Sequence, residues 1–350
     1  MLWGMGCVRR ILAIAGTLAV GCGSNDAVHH LPDAPLHGPR TYNCGTFTES
    51  PGWTLAAGFH AVVIADAADG LAQPVAAVVA GDFFDGKVFV VNQMDNVLRA
   101  VEPETGDTTV AIATADWPKP PQLLTTITWD AMHNFDGNLY VGDQGADADG
   151  DATIFRVTPS AVATQFATGP GPGLDDIYGM AFSPTPAYGT ALYVTGDTDG
   201  GGVDWGRFDA SGAGTAFSEL AGTEGIAFDT SGAYGGGLLA SRPASGGYAG
   251  DDSITKIGTD GLATGTLVTA RPGIHAIALA PPGPFLGHLV AASWQTGELI
   301  SIDPQGAVAV LASGLSLTNY DGNILAFSPD GRVLYVADRL ANRLVCIEPL

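Results

Sequence analysis

Basic residues are scarce in this sequence of 350 residues. It has 14 lysines and arginines against 36 aspartates and glutamates, which gives a net charge of −22. Such an excess of negative charge repels the phosphate backbone of nucleic acids, so the sequence argues against DNA or RNA as a partner. Charged residues make up only 14% of the chain, whereas 46% of its residues are hydrophobic, so we expect an ordered apolar core.

Several motifs of well-known enzymes are missing. The sequence has no serine nucleophile elbow, no phosphate-binding loop, no paired-cysteine zinc motif and no flavin fingerprint. No short motif therefore identifies a reaction by itself, and candidate site residues must come from the architecture of the chain.

The apolar run near the N-terminus is short. Ile11–Val20 has ten residues, too few for a membrane-spanning helix, and it follows Arg9 and Arg10. This order is typical of a secretory signal. The segment Leu18-Ala-Val-Gly-Cys22 resembles a bacterial lipoprotein cleavage box, in which the cysteine is acylated and becomes the first mature residue.

We therefore expect residues 1–22 to be a lipoprotein-type signal peptide with lipidation at Cys22. Residues 23–43 are rich in Gly, Ser, Asn, Asp, Pro and His, which predicts a flexible linker. The lipid would then be the protein's only membrane contact, on the outer membrane of a bacterial cell envelope, facing the periplasm or the outside. An ordinary secretion signal with an incidental cysteine is the alternative, and a twin-arginine signal is a further one.

An internal repeat is the strongest feature of the sequence. Residues 323–338 hold a short apolar strand, an Asp-Gly turn and a second apolar strand, and copies recur about every fifty residues back to about residue 75. The third strands of the copies end at Val101, Val157, Phe208, Ile257, Ile302 and Ile347. Six units result. They predict an all-β fold over residues 44–350, a six-bladed β-propeller of four-stranded antiparallel blades; an open β-sandwich is the alternative.

The strand patterns inside the units agree with such a ring. Second strands such as Val333–Val336 are apolar without alternation, which is typical of strands covered on both faces. Asp85, Asp136 and Asp330 each precede a glycine and predict tight hairpins with positive φ. The sixth unit lacks an outer strand after it, and we expect residues 60–64 to supply it beside residues 343–347, closing the ring and removing exposed edges.

The sequence has only four cysteines. Cys7 lies in the predicted signal and Cys22 is the predicted lipid site, which leaves Cys44 and Cys346. One precedes the ring-closing strand and the other lies on the last strand, its expected neighbour. In an oxidising periplasm they are expected to form a disulfide. Two free buried thiols are the alternative.

The residue that leads into each inner strand of a propeller faces one mouth of the central channel. In units two to six these residues are Thr125, Tyr178, Glu224, His275 and Asn323. Unit one has only small apolar residues at this position.

Three consecutive units place Glu224, His275 and Asn323 at this mouth, with Asp321 just before the last of them. Carboxylate, imidazole and amide oxygen together can hold Ca²⁺ or another divalent metal, and a carboxylate beside a histidine can perform general acid–base catalysis. Glu224, His275 and Asp321 are thus candidate catalytic residues, and Glu224 and Asn323 candidate metal ligands. Ordinary polar lining of a water-filled channel is the alternative.

A second candidate metal site lies in a hairpin. Asp147, Asp149 and Asp151 alternate in a segment that resembles the start of a calcium-binding loop, with Gly150 permitting the bend. The usual glutamate at position twelve of such loops is replaced by Thr158. A solvated acidic hairpin is the alternative.

The final unit resembles the blades of the gluconolactonase and senescence-marker-protein family, and more broadly those of NHL-repeat propellers. The family's members are six-bladed calcium- or zinc-dependent lactonases, so the resemblance implies a metal at the channel mouth. Asn323 stands where the family has a metal-binding asparagine, although Ile324 replaces the glycine that follows it. The family's Glu-Gly-Pro motif is absent from unit one; Thr223-Glu224-Gly225 is similar but lies in unit four.

Three functions are compatible with this sequence. The first is a cell-envelope lipoprotein whose propeller binds a small molecule, a glycan or a protein partner. The second is a metal-dependent hydrolase of lactone or ester type, in which a metal polarises the carbonyl and Glu224 or Asp321 activates water. The third, a sugar dehydrogenase with a quinone cofactor, is disfavoured because such a channel mouth is usually rich in basic residues and histidines.

Overall fold

The computed structural model describes residues 40–145, 151–169, 171–174, 176–196, 205–244, 250–318 and 322–350. Within these ranges the secondary structure consists of β-strands and short 3-10 helices. The first two strands are β1 (Thr54–Leu55) and β2 (Phe59–Ala65). The 3-10 helices are Ala67–Asp69, Asp82–Phe84, Thr114–Asp116, Pro186–Tyr188 and Arg339–Ala341.

From β3 onward the strands form six antiparallel sheets in chain order, here called blades 1 to 6. Blade 1 contains β3 (Pro74–Val79), β4 (Val88–Asn92), β5 (Val97–Val101) and β6 (Thr108–Ile112). Blade 2 contains β7 (Leu124–Trp129), β8 (Leu139–Asp143), β9 (Thr153–Val157) and β10 (Ala163–Thr168). Blade 3 contains β11 (Gly179–Phe182), β12 (Leu192–Thr195), β13 (Trp205–Phe208) and β14 (Gly214–Ala216).

The second half of the ring repeats this arrangement. Blade 4 contains β15 (Ile226–Phe228), β16 (Leu238–Arg242), β17 (Ser253–Ile257) and β18 (Ala263–Val268). Blade 5 contains β19 (Ile274–Leu279), β20 (Leu289–Ser293), β21 (Glu298–Ile302) and β22 (Val308–Ser313). Blade 6 contains β23 (Leu325–Phe327), β24 (Leu334–Asp338) and β25 (Arg343–Pro349), and its fourth strand is β2.

The first strands of the blades lie at the centre and form a closed ring. Each inner strand lies against the inner strand of the next blade, from β3 through β7, β11, β15 and β19 to β23, and β23 lies against β3 again. The predicted all-β, six-bladed ring of four-stranded blades is therefore confirmed.

The ring closes through the N-terminal strand, as predicted. β2 pairs antiparallel with β25, with His60 opposite Glu348 and Val62 opposite Cys346. This pairing gives the last blade its fourth strand and covers an edge that would otherwise be exposed.

The segment before β2 links blade 6 to blade 1. Cys44 forms a disulfide with Cys346 of blade 6, with Cα atoms 5.6 Å apart. Arg40 pairs with Glu102 of blade 1 and donates to the carbonyl of Asp85. Residues 40–43, for which the sequence predicts a linker, thus lie against the ring.

Strand β1 adds a fifth strand to blade 5 that the sequence did not predict. Thr54 lies opposite Ser313 and Leu55 opposite Ala312 of β22. A two-residue strand carries no periodic pattern, so only its packing against β22 defines it.

Apolar side chains fill the spaces between blades, which explains why second strands are continuously apolar. All five residues of β24 are buried, whereas only one of the five residues of β6, at the rim, is buried. Leu239 of blade 4 and Ile277 of blade 5 belong to one apolar cluster. Each blade therefore stabilises its neighbours by burying apolar surface against them.

Two tyrosines link neighbouring blades by the same hydrogen-bond pattern. The hydroxyl of Tyr188 donates to the carbonyl of Ile257 (2.6 Å) and accepts from the amide of Leu238 (3.1 Å). The hydroxyl of Tyr234 donates to the carbonyl of Ile302 (2.6 Å) and accepts from Leu289 (2.7 Å). Both hydroxyls sit among apolar groups, and burial raises the pKa of Tyr234 to about 12.

All three Asp-Gly pairs supply positive φ to a hairpin, at both residues in two pairs and at one residue in the third. Asp85 and Gly86 have φ values of 55° and 64°, and Asp136 and Gly137 both have φ of 66°. Asp330 is different, because only the glycine after it has positive φ. The Asp330 carboxylate accepts from Ser328 Oγ (2.7 Å) and from the Arg332 amide (3.2 Å), and these bonds hold the turn.

Candidate functional site

Glu224 and His275 stand at the starts of two adjacent inner strands, at one mouth of the channel. Glu224 precedes β15 and donates its amide to the carbonyl of Ser241 (3.1 Å). The Ser241 hydroxyl accepts from the amide of Gly225 (2.8 Å) and donates to the carbonyl of His275 (2.5 Å). The backbone at Glu224 is thereby joined to the backbone at His275 through one serine side chain.

Glycines after the mouth-lining residues permit this close approach. A Cβ on Gly225 would lie 2.2 Å from the carbonyl oxygen of His275, and a Cβ on Gly179 would lie 2.2 Å from that of Glu224. No side chain fits at such distances. Tyr178, Glu224 and His275 consequently occupy equivalent places on three adjacent inner strands.

Both ionisable side chains are almost fully enclosed. Glu224 is 2% exposed and His275 is 1% exposed. Loss of hydration lowers the pKa of His275 to about 4, so its ring is neutral at neutral pH. Nδ1 lies 3.4 Å from the carbonyl of Gly273, which can only accept, so this contact favours a hydrogen on Nδ1.

Asn323 belongs to the same mouth on the next blade. It leads into β23, its side chain is half-buried, and its carbonyl accepts from the amide of Ala77 in blade 1 (2.9 Å). Asp321, the third candidate catalytic residue, lies outside the described residues. The structure thus places Glu224, His275 and Asn323 on three consecutive blades at one end of the channel.

Thr125, the equivalent residue of blade 2, has a structural part. It is fully buried, and its hydroxyl donates to the carbonyl of Ile177 in blade 3. The backbone carbonyl of Thr125 lies so close to Gly322, which precedes β23, that a Cβ there would be 1.9 Å from its oxygen. The amide of Gly322 donates to the carbonyl of Val75 in blade 1 (2.9 Å). The chain before β23 therefore covers the start of the first inner strand, where the sequence has only small residues.

Two polar residues at this mouth were missed by sequence reasoning. Arg339 follows β24 and Gln93 follows β4; they are 8% and 4% exposed. The Arg339 guanidinium donates to the Gln93 amide oxygen and to the Thr318 hydroxyl, and Gln93 Nε2 donates to the carbonyl of Leu124 (3.3 Å). A polar residue directly after an apolar second strand is the signal that would have identified both.

Other buried carboxylates near the ends of second strands hold loops in place. Asp143 accepts from the amides of Gln122 (3.0 Å) and Leu123 (2.8 Å), and burial raises the pKa of its carboxyl. Asp338 accepts from Arg343 Nη2 (2.7 Å) and from the amide of Ser316 (2.8 Å). These bonds fix the segments that lead into the inner strands.

The candidate calcium loop lies largely outside the described residues. Asp147 and Asp149 belong to the part that is not described, and Asp151 is half-buried. The backbone carbonyl of Asp151 accepts from Lys119 Nζ (3.0 Å). Calcium binding by Asp147, Asp149 and Asp151 stays a prediction.

A cavity of about 430 Å³ lies away from the channel mouth, between β2, the segment before it and the turn after β5. Four acidic residues line it, namely Glu49, Asp66, Asp69 and Asp107. Asp66 and Asp69 cap the first 3-10 helix, and Asp107 accepts from Thr105 Oγ1 (2.8 Å). These three carboxylates accept hydrogen bonds within local turns, so we do not consider the cavity a candidate active site.

Among the described residues, no helix has the length and apolar character that a membrane crossing requires.

Comparisons with known proteins show the fold of the chain. No protein-family model and no curated protein matches the sequence. A gluconolactonase from Xanthomonas campestris is 13% identical, with 89% of this chain and 99% of that chain covered and a TM-score of 0.58. A PQQ-bound aldose sugar dehydrogenase from Streptomyces coelicolor is 16% identical, with 84% and 99% covered and a TM-score of 0.57. A protein of unknown function from Bacteroides thetaiotaomicron is 12% identical, with 83% and 76% covered and a TM-score of 0.60.

Proposed function

We propose that the protein is a metal-dependent hydrolase of lactones or related esters, with its active site at the channel mouth. The observation that carries this proposal is that two enclosed ionisable residues, Glu224 and the neutral His275, stand at equivalent positions of adjacent inner strands. The similarity to a gluconolactonase from Xanthomonas campestris supports it at the level of the fold.

The donor atoms at the mouth suit a divalent cation. The Glu224 carboxylate, the Nε2 lone pair of His275 and the Asn323 amide oxygen are ordinary ligands of Ca²⁺, Mn²⁺ or Zn²⁺. When bound, the cation would polarise the ester carbonyl and stabilise negative charge on its oxygen. A neutral imidazole is required for such a ligand, and burial keeps His275 neutral down to about pH 4.

The chain's own residues would then move the protons of hydrolysis. The Glu224 carboxylate takes a proton from the water molecule whose oxygen attacks the acyl carbon. The bond between acyl carbon and ring oxygen breaks, and Glu224 returns the proton to the leaving alkoxide, which gives the hydroxy acid. Asp321 remains the alternative base.

Replacement of Glu224 tests the proposal. Glu224→Gln keeps the shape of the side chain but removes the carboxylate that serves as both cation ligand and base, so we expect it to lower kcat on a lactone panel by at least about 100-fold. Glu219→Gln, an exposed change in the same segment between β14 and β15, is the matched control and should retain full activity. Chelation should abolish hydrolysis and re-addition of a divalent cation should restore it. An unchanged rate in Glu224→Gln, with native circular dichroism, would remove the enzyme proposal.

Ligand binding without turnover is a second candidate, favoured by Arg339. A buried guanidinium at the mouth offers an anionic small molecule or glycan a positive group in a chain of net charge −22. Saturable binding of sugar acids, measured by calorimetry together with absence of lactone hydrolysis, would support this candidate over the first.

We further propose that the ring is displayed on the bacterial cell envelope by lipidation at Cys22. A Cys22→Ser variant is expected to lose incorporation of labelled palmitate and to leave the membrane fraction, because the thiol is the acylation site. Equal labelling of the variant and the wild type would discard the anchor.

A further inference from the structure

The disulfide that closes the ring is surrounded by metal-ligating side chains. Cys44 Sγ, a ring nitrogen of His60 and a carboxylate oxygen of Glu348 all lie within 4.8 Å of one another. Cys346 Sγ is bonded to Cys44 and so belongs to the same group. We call these four residues the clasp.

The geometry of the closing strands places the clasp on one face. His60 lies opposite Glu348, and Val62 lies opposite Cys346. Because alternate residues of a strand share a face, His60, Cys346 and Glu348 point the same way, and the preceding segment brings Cys44 over them. His60 Nε2 lies 3.2 Å from a Glu348 carboxylate oxygen, and the amide of Cys44 donates to the other oxygen (3.0 Å).

We propose that the reduced form of the clasp is a zinc site with two thiolates, one imidazole and one carboxylate as ligands. These are the usual ligands of Zn²⁺, and four of them complete the tetrahedral shell of a structural site. His60 Nδ1 is buried and has no hydrogen-bond partner among the described residues, so this nitrogen is available as a zinc ligand. This proposal is independent of the channel mouth.

The cysteine backbones suit both states. A Cα separation of 5.6 Å lies within the range for disulfides. Two thiolates on a tetrahedral zinc ion are roughly 3.8 Å apart, given Zn–S bonds of about 2.3 Å. Rotation of the two side chains is sufficient to reach that separation, so zinc can replace the disulfide without moving β2 from β25.

A dithiol converts the disulfide form of the clasp into the form that binds zinc. A dithiol gives two electrons and two protons, which cleave the bond between the two Sγ atoms and leave two thiols, and the dithiol becomes a disulfide. Zn²⁺ then displaces one proton from each thiol. The chain keeps its ring closed in both redox states, by a covalent bond in one and by a metal in the other.

Metal titration of the reduced protein tests this proposal. The protein used carries three substitutions. Cys7→Ser and Cys22→Ser leave the clasp as the only source of thiolates, and Glu224→Gln weakens metal binding at the channel mouth. The disulfide is reduced with a phosphine, which takes up oxygen from water and becomes the phosphine oxide. The excess is removed without air, and Co²⁺ is then added as a spectroscopic substitute for Zn²⁺. We expect one equivalent to bind with a thiolate-to-cobalt charge-transfer band, and no such band before reduction.

Variants of the two non-sulfur ligands complete the test. His60→Gln and Glu348→Gln are each expected to weaken Zn²⁺ binding at least about ten-fold in competition with a chelator. His288→Gln in blade 5 is the matched control and should bind as the parent does. Absence of the charge-transfer band in the reduced parent, or unchanged affinity in both His60→Gln and Glu348→Gln, would overturn the proposal.

Discussion

At the scale of single residues, His275 shows most directly how burial changes chemistry. Its ring is 1% exposed, and loss of hydration lowers its pKa to about 4 from the ordinary value of 6.5. The neutral ring can accept a proton or ligate a metal through Nε2, which a charged imidazolium could not. The enclosure of this residue by neighbouring inner strands thus keeps its ring neutral at neutral pH.

This lowered pKa makes the stability of the protein depend on pH. Between about pH 6.5 and pH 4 the unfolded chain binds a proton at His275 that the folded chain does not bind, so stability is complete above this window and falls as pH decreases. We expect the free energy of unfolding to drop by about 2 kcal/mol between pH 7 and about pH 5 from this group. Urea denaturation of the wild type and His275→Gln at both pH values measures it.

The variant provides the control for all other titrating groups. Asp229 is one such group. Burial raises the pKa of its carboxyl, but a serine hydroxyl and backbone amides donate to the carboxylate and the net pKa is lowered. Its contribution to stability is therefore lost at lower pH in both proteins. Equal pH dependence in His275→Gln and the wild type would show that the ring is not buried in its neutral form.

At the scale of elements, contacts between consecutive inner strands set the geometry of the mouth. Gly225 lies against the carbonyl of His275 without room for a side chain. We therefore expect Gly225→Ala to destabilise the protein by more than about 2 kcal/mol, since the two strands must separate. Gly265→Ala in β18, where a Cβ would meet nothing within 4 Å, is the control and should change stability little. Chemical denaturation of the pair gives both values.

If the two alanine variants lost stability equally, the close approach of blades 4 and 5 would be contradicted. Lactone hydrolysis by a folded Gly225→Ala protein adds a second readout, because displacement of His275 from Glu224 should also reduce kcat.

How far the sequence predicts these elements depends on how far each carries a repeating pattern. The strand ends at Val101, Val157 and Phe208 follow from the repeat, as does the pairing of β2 with β25. Strand β1 is too short to carry a pattern, and its place on blade 5 depends on tertiary packing. A repeating pattern can be recognised in a short stretch of sequence, whereas the place where a single segment docks cannot.

The same distinction applies to the candidate site. The alignment of units predicted Glu224, His275 and Asn323 at one mouth because each occupies the same place in its repeat. Arg339 and Gln93 occupy a different place, after second strands, and they meet only because the closed ring brings blade 6 beside blade 1. Contacts of that kind depend on closure and have no signal within a single unit.

At the scale of the whole molecule, the ring is a scaffold shared by proteins of different activity. Structures similar to this one include a gluconolactonase and a PQQ-bound sugar dehydrogenase, at 13% and 16% identity. The ring therefore does not define an activity, and under the proposed function the residues at the mouth would do so. In this chain they are an enclosed carboxylate, a neutral imidazole and an amide from three consecutive blades.

The proposed function requires that Glu224 and His275 bind one divalent cation together at the channel mouth. Crystals grown with Mn²⁺ would reveal such a cation by anomalous diffraction. We expect an anomalous peak within about 2.0–2.5 Å of a Glu224 carboxylate oxygen and of His275 Nε2. A peak only at the loop containing Asp147, Asp149 and Asp151, or no peak near Glu224, would contradict it.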